Sequence, residues 1–154
     1  MRRVLGVDPG LAATGYAVVA EDGRGFRLLA EGTVRTEAEK PLPLRLGRIY
    51  QALAQVVETW DPWGVALEEV YLARNAPSAM YTAQVTGVIL LLAQGREVFH
   101  YAPRAVKRWI CGSGSAPKEQ VWDMVAHLLG RRPGSDHAAD AAALALCALL
   151  EART

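Results

Sequence analysis

The stretch VLGVDPGLAATGYAVV, residues 4–19, ends an apolar run on a single carboxylate, Asp8, followed at once by Pro9 and Gly10. Val4, Leu5 and Val7 read as a buried strand, and Asp-Pro-Gly is a strong turn signal. Pro9 also biases Asp8 toward an extended backbone, so the carboxylate is expected to project from the last residue of the strand. Two readings are open: turn chemistry alone, or a ligand at the mouth of a sheet. Other acids converging on the same place decide between them.

Outward from this stretch, the pattern continues as two more strands, TGYAVVAE at 14–21 and FRLLAEGTVR at 26–35. The turn signal Glu21-Asp22-Gly23 between them implies antiparallel pairing. Leu44, Leu46, Ile49, Leu53, Val56, Val57 and Trp60 recur at helical spacing and predict a helix from Pro43 to Trp60, ended by Asp61-Pro62. Short strands are expected over 63–71 and 97–102, with a long apolar helix over 78–93 between them. Pro103 starts a short helix that stops near Gly112, and helices at 118–129 and 135–151 complete the chain. The order βββαβαβααα predicts an α/β fold, a five-stranded mixed β-sheet flanked by α-helices. Its 154 residues are expected to form one domain, 1–154.

Further acids do fall where Asp8 needs them. Glu68 follows Val65, Ala66 and Leu67, the comparable place in the second buried strand. Ligands of open α/β sheets gather beyond the carboxyl ends of strands, so Asp8 and Glu68 meet there if the two strands are parallel neighbours. In SDHAADAAALALCALL, Ser135 is a good N-cap, and His137 and Asp140 stand at i and i+3 on one helical face. Ala138, Ala139, Ala141, Ala142 and Ala143 are small enough to bring that helix close to the sheet. Asp136 points about one hundred degrees away from His137 and is the alternative ligand. Anions about 4–6 Å apart repel and raise one another's pKa, so such a cluster calls for a divalent cation. Two oxygen-liganded metals are the standard device for hydrolysing a phosphodiester.

Composition narrows the class. Half the residues are hydrophobic and a fifth charged, which is a globular rather than a disordered balance. No stretch has the ~18–20 apolar residues of a membrane span, and Asp8 interrupts the first apolar run too early for a signal peptide, so a cytoplasmic location is expected. Cys111 and Cys147 lack CxxC or Cys/His spacing and read as reduced thiols. The net charge of +1 is no nucleic-acid signal in itself. Its distribution is more telling, because between Tyr71 and Ser135 eight bases face three acids.

LGVDPGLAATGYAVV, LEEVYLARNAPSAM, GSGSAPKEQV and HAADAAALA, in that order and spacing, resemble the sequence blocks of the RuvC-type Holliday-junction resolvases. The resemblance covers nearly the whole chain and implies a ribonuclease H-like fold. It also implies an endonuclease that cuts two symmetry-related strands of a four-way DNA junction in recombination and repair, leaving 5′-phosphate and 3′-hydroxyl ends. By motif, the family's ligands of two divalent cations fall on Asp8, Glu68, His137 and Asp140. His137 departs from the commoner D-A-A-D pattern. An imidazole is a softer ligand than a carboxylate, so Mn²⁺ is expected to serve better than Mg²⁺.

The same resemblance places a base-stacking aromatic at Tyr71, with Arg74 and Asn75 continuing its loop, and DNA-contacting lysines at Lys107 and Lys118. Arg108 is expected to add a phosphate contact. Gly112–Lys118 matches a phosphate loop only loosely, since GK[ST] is missing, but the amides opening the helix at Lys118 suit a phosphate. The apolar helix 78–93 is either simply buried or the two-fold interface of a homodimer, which the resemblance favours. Cooperation with a branch-migration motor is also implied. Three rival readings stand beside this one. They are a junction-binding module that does not cut, a nuclease of the same fold acting on ribosomal RNA, and an ATPase similar to the actin-like group, which needs a second lobe.

Overall fold

The computed structural model describes residues 1–69 and 76–154. Strand β1 (Arg2–Asp8) pairs antiparallel with β2 (Ala13–Glu21), and β2 with β3 (Phe26–Arg35). The chain then crosses through α1 (Leu42–Trp60) to β4 (Gly64–Glu68), which pairs parallel to β1. A second crossover through α2 (Ala76–Leu92) leads to β5 (Glu97–Tyr101), parallel to β4. The sheet order is β3-β2-β1-β4-β5, the five-stranded mixed sheet expected from the sequence. Helices α3 (Pro103–Cys111), α4 (Lys118–Leu129) and α5 (Asp136–Ala152) follow.

Alternation along the strands divides the core in two. Leu5, Val7, Val18, Val65 and Leu67 face α1 and α2, where Ile49, Leu53, Val85 and Ile89 meet them. Val4, Ala17, Val19, Ala66 and Tyr101 face the other way, onto α3, α4 and α5. Both faces are covered, as a sheet with parallel crossovers requires. Among the described residues no helix is long and apolar enough to cross a membrane.

Two elements differ from the sequence reading by more than one residue at an end. The strand expected over 63–71 ends at Glu68 because its partners end there: Pro9 follows Asp8 in β1, and the β5 ladder closes with Glu68 opposite Tyr101 and the Glu69 amide on the Tyr101 carbonyl. The helix expected over 78–93 runs instead from Ala76 to Leu92.

Helix α5 is the element that shapes the site. The Ser135 hydroxyl accepts the Ala138 amide at 3.1 Å and so caps its first turn. From Ala141 to Leu149 every residue is buried. The helix rests on strand backbone rather than on side chains. A Cβ at Gly6 would collide with the Ala141 carbonyl oxygen and lie 2.9 Å from the Ala145 amide, and one at Gly15 would lie 2.7 Å from the His137 carbonyl carbon.

Gly6→Ala is therefore expected to destabilise the protein by about 2 kcal/mol or more in urea unfolding, because backbone has to move on both sides. Gly47→Ala, where the new methyl meets open space in α1, is expected to stabilise by about 0.5–1 kcal/mol. Equal midpoints for the two variants would contradict this account of the α5 contact.

Candidate active site

The parity of the strands builds the site. Gly6 and Asp8 share the face of β1 that meets α5, and Ala66 and Glu68 share the same face of β4. The register that sets Val7 against Leu67 puts Asp8 beside Glu68 at the carboxyl edge of the sheet. Asp8 also pairs with Gly15, the glycine beneath the His137 backbone, while Ala141 lies over Gly6. Asp140 thus reaches the pair from α5, and His137 sits a turn closer to the helix start. Behind Asp8 the turn is tied by buried Thr14, whose hydroxyl donates to the Gly10 carbonyl at 2.6 Å and accepts the Gly10 amide at 3.3 Å.

A cavity of about 270 Å³ opens at this point, and its polar lining is Asp8, Glu68, Asp140, Lys107 and Lys118. Asp140 is held from two sides: Lys118 Nζ lies 3.2 Å from Oδ2, and the Trp122 indole N–H donates to Oδ1 at 2.9 Å. Lys118 also sits 5.4 Å from the centre of the Trp122 ring.

The charges are strongly perturbed. Burial, then the charge of Asp140, raises the Asp8 pKa; the Glu68 hydrogen bond, Lys118 and His137 work against that rise. Glu68 is pushed up to about 7 by burial, then by the charge and hydrogen bond of Asp8, with Asp140 adding to it. A hydrogen bond joins the two carboxyls, and their mutual repulsion opposes ionisation of both at once. Burial disfavours the Lys118 ammonium, but Asp140, Asp8 and Glu68 outweigh it and hold its pKa above the ordinary lysine value.

This donor set suits a hard divalent cation: carboxylate oxygens at the mouth of a cavity, too much negative charge for one ammonium to balance, and a hydrogen bond between two of them. Among the described residues no three His, Cys, Asp or Glu side chains meet closely enough to hold a metal as they stand. Asp8 is bonded to Glu68, and both oxygens of Asp140 are engaged by Lys118 and Trp122. A cation held here would compete with the hydrogen bond between Asp8 and Glu68 and with the Lys118 ammonium.

Of the residues singled out from sequence, Asp8, Glu68, Asp140, Lys107 and Lys118 line one cavity. His137 is half-buried beside it, close enough for its charge to act on Asp8. Arg108 and Asp136 are exposed and do not line it. Tyr71, Arg74 and Asn75 lie outside the described residues. Lys118 is an internal counter-ion in this geometry, turned to Asp140. Trp122 was missed; its i+4 spacing from Lys118 signals a shared helix face, but the acceptor it serves belongs to another helix.

A family model described as crossover junction endodeoxyribonuclease RuvC matches residues 4–148. The crossover junction endodeoxyribonuclease RuvC of Actinobacillus succinogenes is 43% identical over 150 residues, 95% of this chain and 78% of that protein. That of Natranaerobius thermophilus is 40% identical over 148 residues, 94% of this chain and 92% of its own length. Among solved structures, Thermus thermophilus RuvC in complex with a Holliday junction substrate superposes with a TM-score of 0.93 at 35% identity, covering 99% of this chain and 96% of that one.

The raised carboxyl pKa values make stability depend on pH. A carboxyl whose pKa is higher in the folded state costs nothing below its unfolded value, and its penalty grows until the folded value is passed. With a chelator present, stability is expected to fall between about pH 4.5 and 7, by roughly 2–3 kcal/mol. Glu68→Gln is expected to flatten that decline in urea titrations at pH 5 and pH 8, and an identical decline in the variant would remove Glu68 as its source.

Proposed function

Since this chain belongs to the RuvC family of crossover junction endodeoxyribonucleases, we propose that its acidic cavity is where a strand of a four-way DNA junction is hydrolysed, with Asp8, Glu68, His137 and Asp140 holding divalent cations. The chain is an endonuclease that resolves Holliday junctions in DNA recombination and repair, and it depends on divalent metal. The observation that carries the site assignment is the half-buried Asp8–Glu68 pair lining one cavity with Asp140.

When two cations are bound, they supply an activated water and neutralise the departing 3′ oxygen, which yields 5′-phosphate and 3′-hydroxyl ends. The protein's own groups prepare that step. Thr14 fixes the Asp8 turn, and Trp122 fixes the orientation of the Asp140 carboxylate. Lys118 balances the charge of Asp140 and lines the cavity with Lys107, where the two ammonium groups would face the scissile phosphate. His137 binds metal, orients water or takes its proton. Tyr71, with Arg74 and Asn75, engages bases and backbone near the cut, and Arg108 adds a phosphate contact outside the cavity.

The acting unit is a homodimer. Helix α2 buries Val85 and Ile89 against its own chain, and Ala93 just beyond it is also buried, yet Met80, Tyr81, Leu90 and Leu91 are exposed, and so is Val98 on β5. Such an apolar face suits a two-fold contact that presents two identical sites to opposed junction strands. A branch-migration motor is the partner that fits the family. The cytoplasm, where such a motor works on chromosomal DNA, is the proposed location.

The test uses a synthetic mobile four-way junction with MnCl₂. The parent protein is expected to make paired, symmetric nicks, and Asp8→Asn to bind the junction while cutting more than about 100-fold more slowly, beyond the loss typical of an outer-shell metal partner. Binding without cutting by both proteins would favour a junction-binding module, and no preference for the junction would turn attention to structured RNA.

Metal choice gives a separate check. Because His137 stands where a harder ligand is commoner, turnover with Mn²⁺ is expected to exceed that with Mg²⁺ at equal concentration, and His137→Asp to narrow the difference. A parent enzyme equally active with both ions would refute the role given to the imidazole.

A further inference from the structure

A second cleft, of about 490 Å³, opens where β3 ends and α1 begins, and Arg35, Lys40, Arg45 and Arg48 line it. These bases lie outside the basic segment 71–135, and the site described above uses none of them. Glu37 is the single carboxylate of the lining; its hydrogen-bond partner is Glu39, and among the described residues no carboxylate lies within ion-pair distance of any of the four bases. Glu37 feels the charge of Arg48 and Glu39 that of Arg45, but both carboxylates are exposed and four cations exceed two acids, which leaves a positive cleft that an anion completes.

Two features show that the cleft is built. The Arg45 Nε–H donates to the Thr36 hydroxyl at 2.9 Å, and the Arg48 Nε–H to the Arg35 carbonyl at 2.6 Å, so both guanidinium groups are anchored through Nε. Helix α1 starts at this cleft with no acidic residue in its first turn and no side-chain cap. Its positive dipole end therefore lies among like charges, an arrangement unfavourable for the isolated protein and favourable for a bound phosphate.

The position relates the cleft to the nuclease site. Asp8 pairs with Gly15, Gly15 with Thr33, and Arg35 lies two residues further along β3. With strands about 4.8 Å apart and a rise of about 3.4 Å per residue, the Arg35 backbone is roughly 12 Å from that of Asp8, on the same edge of the sheet. That distance corresponds to roughly three or four nucleotides of one strand. The loop after Asp8 is joined to the cleft directly, since Thr36 donates through its hydroxyl to the Leu11 carbonyl at 2.6 Å and through its amide to the Ala12 carbonyl at 3.1 Å.

We propose that Arg35, Lys40, Arg45 and Arg48 form a second DNA contact, a sequence-independent cleft that holds backbone phosphates of the duplex arm leading to the cut strand. The inference rests on the reading of this chain as a junction nuclease and adds where the arm is held. Guanidinium and ammonium groups without base-edge geometry read backbone charge, so the cleft contributes affinity and register rather than sequence preference.

The experiment measures binding of the full chain to a four-way junction across a range of salt, in an Asp8→Asn background that leaves the DNA intact. Lys40→Gln with Arg48→Gln is the informative pair, because neither side chain makes the tie to Leu11. The pair is expected to weaken binding about tenfold near 100 mM salt and to make the plot of log affinity against log salt shallower by 1 to 2, at about 0.9 per phosphate released. Lys40→Arg with Arg48→Lys, which keeps the charge, is expected to restore both. Parental affinity and slope in the glutamine variant would overturn the inference and leave the nuclease reading standing. Absence of junction binding by the Asp8→Asn protein with an intact cleft would strike at the nuclease reading itself.

Discussion

Helix α5 lies directly against the backbone of β1 and β2, because Gly6 and Gly15 present no Cβ and the helix meets them with alanines. A layer of ordinary side chains would hold a helix about 10 Å from the sheet. Without that layer, the Ala141 carbonyl sits over Gly6 and the His137 carbonyl over Gly15, which brings Asp140 to the strand that ends in Asp8. The catalytic geometry follows from this absence of side-chain volume. The alanines matter to the chemistry for their size alone.

The same closeness creates the electrostatic problem that defines the site. Asp8 and Glu68 are half-buried neighbours on parallel strands, and desolvation there is the first cause of both raised pKa values. Two groups from α4 hold the third acid in place. Lys118 supplies charge, and Trp122 supplies a neutral N–H whose ring also flanks the ammonium. A neutral donor orients a carboxylate without cancelling the charge that a cation needs, so Trp122 and Lys118 differ in kind. The indole could serve a cation-bound and a cation-free site alike, whereas the ammonium would compete with a metal.

Local signals in the sequence carry much of this arrangement. Asp-Pro-Gly after an apolar run marks the end of β1, the run before Glu68 marks β4, and Ser135 marks the start of α5. Each is a matter of neighbours in the chain, and each appears in the fold at the expected residue or within one of it. What sequence could not supply was set by tertiary partners. Strand β4 stops at Glu68 because β1 and β5 stop beside it, although the apolar pattern continues past that point. Lys118 reads as an outer DNA contact until Asp140 is seen 3.2 Å away. Trp122 belongs to no sequence motif, and its part in the site shows only when its N–H meets a carboxylate on another helix. The bases at 35–48 pass unnoticed among nearby acids, because only folding gathers Arg35, Lys40, Arg45 and Arg48 around one cleft whose single lining carboxylate is Glu37.

Charge along the carboxyl edge of the sheet therefore has a pattern that no single segment shows. Acids occupy the centre, at β1 and β4. Lys107 and Lys118 stand on the side of α3 and α4, and the cleft of Arg35, Lys40, Arg45 and Arg48 on the side of α1. A polyanion approaching this edge is attracted at both flanks and repelled in the middle, where only added cation makes the surface acceptable. On the proposed reading, binding and cutting would differ in their requirements: the cleft by α1 and Lys107 would attract backbone phosphate without divalent metal, whereas the acidic centre would admit it only with metal bound. With such a layout a junction can be engaged and its geometry examined before any strand is committed to hydrolysis, which is the order of events a structure-selective nuclease needs.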